Sequence, residues 1–281
     1  MAMKYFLSEH PLFYKDYEVL DIKAVHLLDQ SDIEPLEKIA SLADLFIFQP
    51  VSDNYKNMPK LSTNYLLPKL RRDCQVISSP TAYFTGYHPE ITYLQDDYGS
   101  IKNTPFPYHD MNILRLYSEG KSIEEVVRHI ERKDFYDLSF VQSNLYKTKD
   151  NLAKREKNLT IKLSDFIEKN YRNHKLFHSF NHPSYKVLGY LFAQIMQKAG
   201  FQEDHLFKFF KNQDILSRSS FLIYSSIPKI LCLEFITEDV YKIGNKYYSR
   251  RKWWKSFLIF TILDLEMFLV SLKIRYQEHD F

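Results

Sequence analysis

Glycine is scarce in this chain, with six residues among 281. No loop of the GxGxxG or GxxxxGK[ST] kind is present, which argues against dinucleotide and P-loop nucleotide chemistry. Cysteine is scarcer still. Cys74 and Cys232 lie far apart, form no CxxC pair and have no zinc spacing. Both read as reduced core residues; nothing suggests a secreted disulfide framework, and no metal is expected. HExxH and the GxSxG nucleophile elbow are also missing. Neither sign of charge dominates, and a net charge of +3 gives no ground for a nucleic-acid partner. The first residues do not form a charged segment followed by a long apolar one. No signal peptide is therefore read, and the expected location is cytoplasmic.

One long apolar run needs a membrane check, Phe257–Leu272 (FLIFTILDLEMFLVSL). Asp264 and Glu266 sit in its middle, where each would cost roughly 2.5–3.5 kcal/mol at a bilayer centre. A buried or surface-lying helix is expected rather than a transmembrane span. Peripheral membrane contact through the preceding basic aromatic run Arg250–Lys255 is the lesser reading.

What is abundant is aromatic side chain, at 16%, within a globular balance of 45% hydrophobic and 26% charged residues. The pattern along the chain predicts an α/β fold. A small parallel sheet with flanking helices occupies residues 1–108, and a mainly helical portion, 109–281, packs on it as one continuous domain. In the first part, helices are predicted over Met1–His10, Asp32–Ala43 and Ser62–Arg72. Strands are predicted over Tyr17–Ile22, Leu45–Val51 and Gln75–Ser79. Their alternation is that of a parallel sheet with right-handed crossovers. Helices over Asn112–Ser118, Ser122–Arg132, Phe140–Asn170 and Val187–Ala199 follow, the last stopped by Gly200. A hairpin is read at Val240–Ser249.

The richest polar stretch is FHSFNHP, Phe177–Pro183. His178, Ser179, Asn181 and His182 are interleaved with Phe177 and Phe180, directly before a new helix. Histidine titrates near neutrality, so such a pair suits proton transfer, metal binding or anion binding. The alternative is that one caps the helix and the other packs. Tyr108-His109-Asp110 is a second candidate. Two strand ends supply the rest, since ligands in open α/β sheets bind beyond the carboxyl ends of strands. The first runs from Gln49 to Ser62 and Thr63 at a helix start, where backbone N–H groups could meet a phosphate; routine capping is the competing reading. The second is the aromatic loop Tyr83–Pro89, read as a wall for a flat ligand.

These stretches, in order, carry a resemblance. ADLFIFQPVSDNY, KLST, VISSPTAYFTGYHPE, YHDMN and LFHSFNHPSYKVL resemble the ordered blocks of the WcbI-type capsular-polysaccharide biosynthesis enzymes, from about Tyr5 to at least Tyr248. The resemblance implies a CoA-binding acetyltransferase that moves acetyl from acetyl-CoA to a hydroxyl of a capsular or surface polysaccharide sugar. His182 or His178 would be the base and Asn181 a donor to the oxyanion. His109 and Asp110 form the competing pair of base and orienting carboxylate. Gln49, Ser62, Thr63, Tyr87 and Asn181 would line the cofactor cleft. The family's first strand ends in Gly-Asn-Cys-Gln before the first helix, whereas here that helix begins at Met1, and Cys74-Gln75 lies on a later strand. An N-terminally truncated, non-catalytic remnant or binding protein of the family is therefore the second reading. An acyl-glycan esterase is the third.

Overall fold

Ile33, Leu36 and Ala40 recur at helical spacing and are the buried residues of the helix Ile33–Leu42. Asp29 and Asp32 form a capping box at the 3₁₀ turn that leads into it. Ile33 and Leu36 pack with Leu28, Leu61 and Leu66, and Ile22, Val25, Tyr55, Met58 and Tyr65 close the cluster. The chain leaves this helix directly into the strand Leu45–Phe48, which pairs in parallel with Gln75–Ser78 in the register Leu45↔Gln75 to Phe48↔Ser78. The fold is thus α/β, with a small parallel sheet flanked by helices early in the chain and helices dominating after residue 109. The structure is a computed structural model. It describes residues 2–93, 95–96, 99–100, 108–202, 214–217, 220–235, 240–243, 246–249, 252 and 255. The apolar run Phe257–Leu272 lies outside the described residues, as does most of the basic aromatic run before it. Among the described residues no helix is long and apolar enough to cross a membrane.

The described chain divides into two compact units, each assembled from three stretches of sequence. The first comprises Met1–Tyr83, Lys149–Tyr171 and Asn181–Leu216. It holds the parallel pair, the helices Ala2–Glu9 and Pro11–Asp16, and the helix Tyr185–Lys198. Pro11 ends one helix and starts the next, because at the first helical position its missing N–H costs nothing. Val187, Leu188, Leu191, Phe192, Ile195 and Met196 form the buried face of Tyr185–Lys198. Gly200, at φ +94°, ends that helix, with Phe201 N–H donating to Met196 O at 2.9 Å.

The second unit comprises Phe84–Thr148, Arg172–Phe180 and Ser217–Phe281. Its core is aromatic. Phe84 stacks on Phe177 at 5.5 Å and meets the edge of Tyr87, while Tyr108 meets the edges of Phe180 and Phe221. Around these rings lie the short antiparallel pair Ile91–Thr92 with His109–Asp110 and the helices Met111–Ser118 and Ile123–Ile130. Ser122 and Glu125 make a capping box at the start of Ile123–Ile130. The hairpin Val240–Ile243 with Lys246–Ser249 belongs to this unit too.

Three elements differ from the sequence reading. Tyr17–Ile22 is irregular rather than a strand, and Tyr17 instead stacks on Phe13 at 5.1 Å and meets Phe201 at 6.2 Å. The helix expected over Ser62–Arg72 is α-helical only over Thr63–Leu66. It then tightens to a 3₁₀ turn at Leu67–Lys69, because Pro68 has no N–H for the next helical bond. The long helix expected over Phe140–Asn170 is two helices, Leu138–Glu156 and Ser164–Asn170. The break has a cause. Glu156, 3% exposed, accepts from Leu163 N–H at 2.7 Å, from Ser164 N–H at 3.2 Å and from the Ser164 hydroxyl. A carboxylate at a helix N-terminus satisfies donors that the helix cannot satisfy itself. Glu156→Ala strands those donors and is expected to lower stability by about 2–4 kcal/mol, read as a drop in the urea midpoint without a change in slope.

Candidate functional site

A buried polar cluster lies in the second unit, where the strand residues His109–Asp110 meet the residues just before Ile91. The register Ile91↔Asp110, with Met111 N–H donating to Glu90 O at 3.0 Å, brings Glu90 and Asp110 side by side. Both carboxyl groups are interior, Asp110 at 0% and Glu90 at 3% exposure. Asp110 Oδ1 accepts from Asn112 N–H at 2.8 Å and Ile113 N–H at 3.1 Å, capping the helix Met111–Ser118. Its Oδ2 accepts from the Tyr224 hydroxyl at 2.6 Å. Tyr224 stacks on Tyr136, whose hydroxyl accepts from Asn112 Nδ2 at 2.5 Å. His88, fully enclosed, holds Nδ1 3.5 Å from Glu90 Oε1.

Burial decides the charge states here. It pushes the Asp110 carboxyl up to about 6, against the Tyr224 hydroxyl and the Ile113 and Asn112 amides, which favour the carboxylate. It raises Glu90 well above the usual carboxylate range, with the Asp110 charge adding to the effect. Burial, then the Lys175 charge, depresses His88 to about 3, so its imidazole is neutral at ordinary pH. Tyr224 and Tyr136 are raised for the same first reason, with the two carboxylates adding to it, and stay protonated. The cluster is therefore a set of neutral donors around a carboxyl pair that resists a second charge.

His109, 1% exposed, and His178, 9% exposed, belong to this unit with Asp110. The Asp110 oxygens bond the two helix amides and Tyr224, and none bonds His109. Phe221 N–H donates to His178 O at 2.7 Å, and Lys175 Nζ to Ser220 Oγ at 2.8 Å. Tyr87 is enclosed, and its hydroxyl donates to His174 O at 3.0 Å. Phe84 and His88, from the same aromatic loop, are interior as well, so their rings build core rather than an open wall.

The remaining candidates, Gln49, Ser62, Thr63, Asn181 and His182, belong to the first unit. Exposed Gln49, beyond Phe48, donates from Nε2 to Pro80 O at 3.3 Å. Ser62 Oγ accepts from Tyr65 N–H at 3.2 Å, and Thr63 Oγ1 accepts from Val51 N–H at 2.8 Å. Both hydroxyls thus hold the loop and the four-residue helix Thr63–Leu66 together. Asn181 and His182 are half-buried and immediately precede Pro183, Ser184 and the helix Tyr185–Lys198. A concavity of about 350 Å³ in this unit, lined by Ser8 and Tyr14 to Val19, contains none of the candidates.

Cys74 is half-buried before Gln75–Ser78, and burial, then Asp44, raises its thiol, which keeps it from being a ready nucleophile. Cys232 is exposed. Among the described residues no group of three or more His, Cys, Asp or Glu could hold a metal ion.

The site residues the sequence reading passed over are Glu90, His88 and Tyr224. Glu90 and His88 stand in the quoted block ending YHPE, but nothing in a single sequence marks a glutamate as interior.

An α/β scaffold with a buried carboxyl–histidine–tyrosine cluster defines a class broadly, as a fold able to support acid–base chemistry. The particular family follows from comparison. The family model described as polysaccharide biosynthesis enzyme WcbI matches residues 1–204, and the chain belongs to this family. A solved structure of WcbI, described as the native protein without a disulfide bond between coenzyme A and one of its cysteines, has the same fold. Its TM-score is 0.78 at 21% identity, over 92% of this chain and 85% of that one. No curated protein matches the chain.

Proposed function

We propose that this chain is an O-acetyltransferase moving acetyl from acetyl-CoA to a hydroxyl of a capsular or surface polysaccharide sugar. Membership of the WcbI family over residues 1–204 carries the reading. The coenzyme A named for the WcbI structure of the same fold supplies the donor class. A cytoplasmic location is part of this reading.

The chemistry needs a base at the sugar hydroxyl and donors for the oxyanion. His182 is the base in this reading, because it is half-buried, whereas His178 and His109 are interior. Its imidazole takes the hydroxyl proton as the sugar oxygen attacks the thioester carbonyl. The Asn181 amide donates to the oxyanion, the C–S bond breaks, and the imidazolium returns its proton to the leaving CoA sulfur. Asp110 and Glu90, in the other unit, hold the start of Met111–Ser118 and the loop around His88.

Calorimetry with CoA tests the reading. Saturable heat is expected below millimolar CoA, with acetyl transfer to a glycan acceptor in a coupled assay. Absence of heat at millimolar CoA sinks it, and acetate release from an acetylated glycan without CoA would replace it with an esterase.

A further inference from the structure

The helix Tyr185–Lys198 begins in an unusual way. Ser184 is its N-cap residue, in the extended conformation such a residue adopts, yet its side chain makes no capping hydrogen bond. A serine hydroxyl at this position faces the first-turn amides and ordinarily accepts from the second or third of them. Here the Ser184 Oγ is buried, with the residue 2% exposed, and has no hydrogen-bond partner among the described residues. The third amide belongs to Val187, which is 0% exposed, and no described residue accepts from it. Among the described residues a buried hydroxyl therefore stands unsatisfied at this helix start, beside a buried amide with no backbone acceptor, an appreciable cost if nothing bridges them.

The charge pattern of this turn points the same way. No acidic residue occupies it, although the positive end of a helix dipole favours one. A lysine is there instead, Lys186, whose ammonium lies over the Tyr185 ring at 5.7 Å. Tyr185 and Lys186 are half-buried, so the turn is reachable from solvent, and half-buried His182 precedes it by two residues. Buried donors, an uncompensated dipole and a cation make the chemistry of a phosphate site.

We infer that the N-terminus of Tyr185–Lys198 binds a phosphate group, held by Ser184 Oγ and the amides of Lys186 and Val187. The inference rests on the CoA reading for its physiological ligand, a phosphate of the donor, while the site itself accepts inorganic phosphate. It places the donor's phosphate two residues from the proposed base.

The test uses the whole chain and two probes, inorganic phosphate and CoA. Phosphate should shift the backbone amide resonances of Lys186 and Val187 in a saturable way. Ser184→Gly keeps an acceptable N-cap, so its melting temperature should stay within about 2 °C of the parent. Its phosphate affinity should nevertheless fall about ten- to a hundredfold, the loss expected for one charge-assisted bond. CoA affinity should fall by a similar factor. Amide shifts unmoved by about 100 mM phosphate, far above the affinity expected of several charge-assisted bonds, would falsify the site. So would equal phosphate affinity in the parent and Ser184→Gly. Phosphate binding that is lost in Ser184→Gly while CoA binds both proteins equally overturns the assignment to the donor and leaves the CoA reading intact. Failure of CoA to bind the parent, with phosphate still bound, removes the CoA reading and leaves the phosphate site standing.

Discussion

Asp110→Asn is expected to gain about 2 kcal/mol on the parent protein as pH rises from 4 to 6. The sign follows from burial. The Asp110 carboxyl is pushed from 3.8 to about 6 in the folded protein. Its contribution is therefore fully present below the unfolded value and is lost as pH rises through the folded one. Asparagine does not ionise, so the variant keeps what the parent loses. It also keeps the structure, since its side-chain oxygen can cap Met111–Ser118 as the aspartate does and its amide can face the Tyr224 oxygen.

His88 supplies the opposite slope. Its folded value is depressed from 6.5 to about 3, so its contribution is present above 6.5 and lost as pH falls toward 3. In the parent the two slopes oppose each other, and Glu90, raised by burial, adds to the Asp110 side above its unfolded 4.5. Replacing Asp110 leaves the His88 rise against the Glu90 fall, so stability should climb with pH up to about 4.5 and then level off until about 6.5. Asp110→Ala behaves differently: it removes the cap and leaves the buried Tyr224 hydroxyl without its acceptor. About 3–5 kcal/mol should be lost at pH 4, the usual range for breaking a buried network, and less as pH rises, because alanine does not ionise either. Urea unfolding at pH 4, 5, 6 and 7 checks all of this. Parallel curves for the parent and Asp110→Asn would show that Asp110 does not carry its raised value.

The elements legible in the sequence are those whose pattern is local. Ile33, Leu36 and Ala40 announce their helix by spacing alone, and Leu45–Phe48 and Gln75–Ser78 announce strands by short apolar runs that end near proline. Tyr17–Ile22 has a strand-like composition, but a strand exists only by pairing, and the Tyr17 ring packs against Phe13 and Phe201 instead. The break after Glu156 is invisible to periodicity, because the interaction that makes it reaches eight residues forward to Ser164. The site divides the same way. Asp110 stands beside His109 in the sequence, yet what defines its chemistry is Tyr224, 114 residues away, and Glu90, just before the strand Ile91–Thr92. The order of the blocks did identify the family, because order along a chain is itself a sequence property.

His182→Ala is expected to lower kcat for acetyl transfer by about 10²–10⁴, the range for losing a general base, with CoA affinity unchanged. Position separates His182 from the other histidines. A base must reach a sugar hydroxyl that arrives from solvent, and His182 is half-buried where His109 is 1% exposed and His178 9%. His178 also has a neighbour that argues for a supporting role: it is among the charges that depress His88, so it belongs electrostatically to the buried cluster. His178→Ala should therefore change stability and the pH slope set by His88 more than it changes kcat. The measurement is the pH profile of kcat for both variants with CoA affinity determined in parallel. Loss of the acidic limb in His182→Ala alone assigns the base. A profile abolished in His178→Ala and retained in His182→Ala moves the base four residues back, into the unit that holds Asp110 and Glu90.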